Sequence, residues 1–63
     1  MLVEILEQDE LLFEAEFHFL PRLGETISKD SGGYFTYYDV AEVWHREEAS
    51  GLFKACVRVV LND

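Results

Sequence analysis

Three kinds of side chain in this chain can do chemistry, and their spacing decides which chemistry is open to them. Cys56 is the single cysteine, so no internal disulfide can form. A nucleophilic role would need a histidine to activate its thiol and donors to hold an oxyanion. Neither His18 nor His45 stands in a paired CxxC or HxxxH spacing with it, so the pattern of a zinc site is absent. In LFKACVRVVL the cysteine alternates with Lys54 and Arg58 on one face of a strand, where a sulfur is ordinarily an inert side chain. Carboxylates are abundant, and abundance lowers their specificity as a signal. Glu14 and Glu16 share a strand face and read as solvated; general acid–base work would need one of them in an apolar pocket with a raised pKa. The pair Gly32-Gly33 lacks the lysine and helix of a phosphate loop and reads as a turn. The expectation is a non-enzymatic protein with no catalytic, cofactor-binding or metal site.

Binding chemistry is better represented. The run YFTYYDVAEVWHR carries aromatics on both faces, Phe35 and Tyr37 on one and Tyr34 and Tyr38 on the other, with Trp44 following. One face can fill a core while the other covers a barrel mouth or a dimer contact. The sharper alternative is an exposed aromatic strip that anchors a partner protein. The candidate contact surface is Tyr34, Tyr37, Tyr38 and Trp44, flanked by His45 and Arg46 as a charged rim. The second candidate is acidic. Glu4, Glu7, Asp9, Glu10, Glu14 and Glu16 fall in the first third of the chain with no Lys or Arg among them. Such an arm suits an inhibitor, for example a phage-encoded one, that mimics nucleic-acid charge on a basic partner.

The net charge of −8 repels phosphate backbones and argues against direct nucleic-acid binding. No basic amphipathic face invites an anionic membrane, no apolar run approaches spanning length, and the start of the chain lacks the basic region of a signal peptide. A free cysteine without an export signal points to the cytoplasm.

The elements that must position these residues follow from a two-residue period. In LLFEAEFHFL, residues 11–20, Phe13, Ala15, Phe17 and Phe19 share one face and Glu14, Glu16 and His18 the other. In residues 52–61, Phe53, Ala55, Val57, Val59 and Leu61 oppose Lys54, Cys56 and Arg58. Both read as half-buried strands. Their complementary outer charges suggest that the two are antiparallel neighbours. Between them lie a short strand at ETIS, a glycine turn at KDSGG and a long strand over residues 34–46. There Val40 and Val43 stand three apart, which requires a bulge near Ala41 and Glu42. The turn EEASG leads into the last strand. MLVEIL reads as a further strand, hairpinned over EQDE, although the stretch is also rich in helix formers. With 63 residues there is one domain, residues 1–10 forming an acidic extension or extra strand and 11–63 the barrel. Four to five short strands with no room for a crossover helix imply an all-β fold, a small antiparallel barrel.

The phrase LPRLGE places Pro21 and Gly24 between two strands. Pro21 fixes its own φ and keeps Leu20 extended. Gly24 is expected at positive φ in a type I turn with a G1 bulge. Leu23 and Ile27 would then point into the core, and Glu25 can accept turn N–H groups.

The order Pro21, Arg22, Leu23, Gly24, Glu25, then Tyr38, Val40, Val43, His45, then Val57, Val59, Leu61 resembles a group of small, mostly uncharacterised bacterial and phage proteins. Their shared pattern is PR-hydrophobic-G-D/E, then Y-x-V-x-x-V-x-H, then a valine-rich strand. The likeness covers roughly residues 17–61 and leaves MLVEILEQDELL unexplained. It implies an SH3-like small barrel whose diverging turn is the glycine phrase. It implies no catalytic residue, because this barrel hosts many functions. The function expected is interaction with a protein partner or with a second copy of the chain.

Overall fold

The computed structural model describes residues 1–62, which form five strands and no helix: β1 Leu2–Glu7, β2 Glu10–Glu16, β3 Thr26–Asp30, β4 Phe35–Glu47 and β5 Phe53–Leu61. They make one sheet in the order β2-β1-β5-β4-β3. With no helix among the described residues, none is long and apolar enough to cross a membrane.

The fold is all-β, a curled mixed sheet forming a half-barrel, consistent with a small SH3-like barrel. One detail departs from an all-antiparallel design. β1 pairs with β5 in parallel, Val3 opposite Ala55 and Ile5 opposite Val57, while the other three pairings are antiparallel. β1 lies between β2 and β5, so the expected β2–β5 neighbourhood does not form. The reason lies in the side chains. Val3 and Ile5 of β1 are fully buried and need strands on both sides, whereas the carboxylates of β2 suit an edge. Lys54 of β5 still reaches Glu14 of β2 as an ion pair across β1. Arg58 instead meets Glu42 on β4 at 3.1 Å.

A flat sheet of this order would hold β2 and β3 about 19 Å apart. Curling brings the two edges together. Phe13 of β2 packs 6.3 Å from Tyr38 of β4, and Lys29 Nζ of β3 sits 5.1 Å from the Phe13 ring centroid. The connector 17–25 spans from one edge to the other, and its Phe17 and Leu20 pack against the core. The core itself is small: Val3, Ile5, Val40, Ala55, Val57 and Val59, with Phe13, Ile27, Tyr38 and Val43 half-buried around it. β2 and β3 do not pair, so the barrel keeps an open seam between two strand edges.

The bulge expected in β4 is present. Val40 faces Val59 and Glu42 faces Arg58, which leaves Ala41 as the extra residue. The insertion lets Val40 and Val43, three apart, both face the core beside Val59 and Val57. Phe19, Leu23, Phe53 and Leu61, all expected inside, are exposed. Phe19 and Leu23 ride on the connector beyond the end of β2, and Phe53 and Leu61 lie at the two ends of β5, past the reach of the covering side chains.

Gly24 has φ +84°. The Glu25 N–H donates to the Arg22 carbonyl at 3.1 Å, which puts Gly24 at the third position of the turn. That is the type II arrangement rather than type I with a bulge, and it too requires positive φ there. The Glu25 carboxylate accepts the Arg22 N–H at 2.7 Å, and this bond, with the Arg22 guanidinium second, holds its pKa below the ordinary range. A methyl group at position 24 would meet nothing within 4 Å, so the cost of Gly24→Ala is purely conformational. It should destabilise by about 1 kcal/mol or more, read as a melting temperature lower by roughly 4–8 °C.

Candidate interaction surface

Strand pairing sorts the side chains onto two faces. On the convex face one row runs Glu14, Glu4, Cys56 and Trp44 across four strands, and the next carries Lys54 and Arg46. Arg46 grips Glu4 with two nitrogens, Nη1 to Oε1 at 3.0 Å and Nη2 to Oε2 at 2.9 Å. It also reaches Glu48 at 3.5 Å. Beneath this fork lies Cys56, 0% exposed, its sulfur 3.7 Å from Arg46 Nη1.

These contacts fix the titration behaviour. The hydrogen bonds from Arg46 hold the Glu4 carboxyl below its ordinary value, against the opposing effect of burial. Burial pushes the Cys56 thiol up, further from the thiolate that nucleophilic chemistry needs. The bond to Glu14 raises Lys54. A depressed carboxylate stabilises the fold above its unfolded pKa, and that contribution is lost as pH falls through the folded value. The melting temperature should therefore drop as pH is lowered from neutral to below 4.5. Glu4→Gln should flatten that dependence, as followed by circular dichroism across the range.

The thiol and the imidazoles do not converge. His45 lies opposite Ala55, on the face away from Cys56, and His18 is exposed on the connector. Among the described residues no three His, Cys, Asp or Glu side chains are placed to hold a metal ion.

The six aromatic-strand residues are divided between the faces. Tyr38 points inward and packs on the core, as its partner Ile27 does. His45 is exposed on that same concave side. Trp44 is half-buried on the convex face, next to Arg46. Tyr37 is exposed on the convex face and stacks on Phe35, ring centroids 6.5 Å apart. Tyr34 is exposed in the turn before β4. Phe35 thus joins Tyr37 and Tyr34 in an outward aromatic group, with exposed Val60 on the same face opposite Asp39. Its shared parity with Tyr37 was the sequence signal for it.

The acidic set is divided as well. Glu4 is held by Arg46, Glu14 by Lys54, and Glu16 by the Met1 ammonium at 2.8 Å. Glu7, Asp9 and Glu10 surround the β1–β2 turn and make no ion pair among the described residues.

A second feature was not visible in the sequence. An open groove of about 960 Å³ runs between the connector and β3, lined by the apolar Phe17, Leu20, Pro21 and Ile27 and by the polar Arg22, Glu25, Thr26 and Ser28. Phe19, 84% exposed, stands on its rim. Compared with protein-family models, with curated proteins and with solved structures, the chain matches none.

Proposed function

We propose that this chain is a non-enzymatic protein-interaction module of the cytoplasm that works by burying exposed aromatic side chains against a protein partner. One observation carries the reading: the aromatics Tyr34, Phe35, Tyr37 and Phe19 are exposed while the core is built mainly of small aliphatic residues. Tyrosine is among the residues enriched in the few that dominate binding energy at protein interfaces. The resemblance to SH3-like barrels is in keeping with a binding role, and the raised thiol of a fully buried Cys56 speaks against a nucleophile. A buried free thiol also suits a reducing compartment. The acidic-inhibitor alternative has three of its six carboxylates engaged in internal ion pairs.

The test compares wild type with the double variant Phe35→Ser, Tyr37→Ser. Both positions point away from the core, so circular dichroism should be unchanged. Proteins retained by the immobilised wild-type chain should be lost from the variant, or a wild-type dimer should sediment as a monomer. Identical retention and identical sedimentation of the two proteins would overturn the reading.

A further inference from the structure

The two edges of the half-barrel are not alike. β2 is blunted by Glu10, Glu14 and Glu16 and by a register shift at Leu12, where Ile5 faces Phe13 but Leu6 faces Leu11. Charges and bulges are the usual protection of a strand edge. β3 has no bulge against β4 and no proline, and its two charges are Lys29, which reaches over the Phe13 ring on the concave side, and Asp30. The Glu25 carbonyl accepts the Val40 N–H at 2.8 Å, and the Ser31 N–H donates to the Tyr34 carbonyl at 2.7 Å. Alternation then turns Ile27 and Lys29 toward β4 and leaves the N–H and C=O groups of Thr26, Ser28 and Asp30 on the free side. The groove lies along this same edge, because Thr26, Ile27 and Ser28, which point to opposite faces, all line it.

We propose that the free edge of β3 takes up an extended, basic segment of a partner protein as a sixth strand. This rests on the protein-interaction reading above and names the mode and the chemistry of the partner. On the concave side the guest's apolar side chains enter the groove beside Phe17, Leu20 and Ile27, where the local charges are Lys29 and Arg22, the latter paired with Glu25. On the convex side β3 presents Thr26, Ser28 and Asp30, so one guest cation meets the Asp30 carboxylate directly and another reaches across Ser28 to the exposed ring of Tyr37 on β4. The span to Tyr37 is about 10 Å, two strand spacings, within the combined reach of an arginine and a tyrosine ring. Main-chain hydrogen bonds supply affinity in such strand addition, and the alternating pockets supply selectivity. Basic chemistry is favoured over a second copy because two chains of net charge −8 repel, whereas a cationic segment is steered in.

The experiment uses the whole chain and a fluorescein-labelled octapeptide of alternating arginine and valine, followed by fluorescence anisotropy. Saturable binding is expected, with no binding of the glutamate–valine counterpart. Two further peptides carry backbone N-methyl groups on all arginines or on all valines. A strand added through one edge should lose affinity by at least roughly tenfold with one of them and keep it with the other, since only one set of amides faces β3. Ser28→Pro removes an edge-facing donor and should weaken binding similarly; if that variant fails to fold, the methylated peptides carry the test on wild type. Equal binding of both methylated peptides, binding of the acidic peptide, or no binding of the arginine–valine peptide overturns the proposal. So does a wild-type dimer abolished by Ser28→Pro, which assigns the edge to a second copy. Should the peptides fail while partner retention still depends on Phe35 and Tyr37, only the β3 assignment falls; loss of that dependence removes the interaction reading itself.

Discussion

Deleting residues 1–8 is expected to leave a chain that does not fold. β1 is a central strand, hydrogen-bonded to β2 on one side and β5 on the other. The cut removes Val3 and Ile5, two fully buried side chains, at roughly 1.5–3 kcal/mol each. It also strands β2 without a partner and exposes the β5 edge together with the buried Cys56. A domain of this length has a total stability of roughly 3–9 kcal/mol, which the lost burial consumes in large part, and the lost pairings of β2 and β5 with β1 add to it. Far-ultraviolet circular dichroism should show a disordered chain with no cooperative urea transition. A barrel confined to residues 11–63 would survive the same cut with its transition intact, and that outcome would refute the central placement of β1.

The second large effect is expected at Val57, which lies between Ile5 on β1 and Val43 on β4 and is fully buried. Val57→Asp places a carboxylate where the inner row offers only apolar neighbours. An uncompensated buried charge costs about 3–5 kcal/mol, enough to unfold most molecules at neutral pH. Its titration gives the mechanism a signature. Burial raises the pKa of the new carboxyl, so protonation relieves the penalty and the variant should gain stability as pH falls. Wild type should lose stability over that interval as Glu4 and Glu25 protonate. Opposite slopes of melting temperature against pH are the expected result. Parallel slopes would show that the variant fails for steric reasons alone.

Much of the fold was legible because a sheet writes its period directly into the sequence. Phe13, Ala15, Val57 and Val59 occupy the inner face that alternation assigns them, and the three-residue step from Val40 to Val43 located the bulge. Gly24 showed its positive φ in advance, since few other residues tolerate it. Neighbourhood was less legible. The matching charges of Glu14 and Lys54 identified a true ion pair but suggested adjacent strands, because long side chains reach across an intervening strand. Burial at strand ends is hidden from the sequence for a related reason: period two says which way Phe53 and Leu61 point, not whether anything lies there to cover them. The groove was invisible because it depends on the curl of the sheet, which arises from how distant segments pack. Exposed Phe35 was within reach of the pattern, whereas the separation of Tyr38 from Tyr37 into different environments needed the position of the core.

The parallel seam between β1 and β5 has a kinetic meaning. The β1–β2 hairpin and the β3–β4–β5 meander each close through short loops, while the contacts that join them, such as Val3 with Ala55, connect the two ends of the chain. Closing so long a loop carries most of the entropic cost before its contacts can repay it. Folding is then the docking of two locally formed units. Trimming Ile5 or Val57 should slow refolding, and straining the turn at Gly24, which lies between the units, should mainly hasten unfolding.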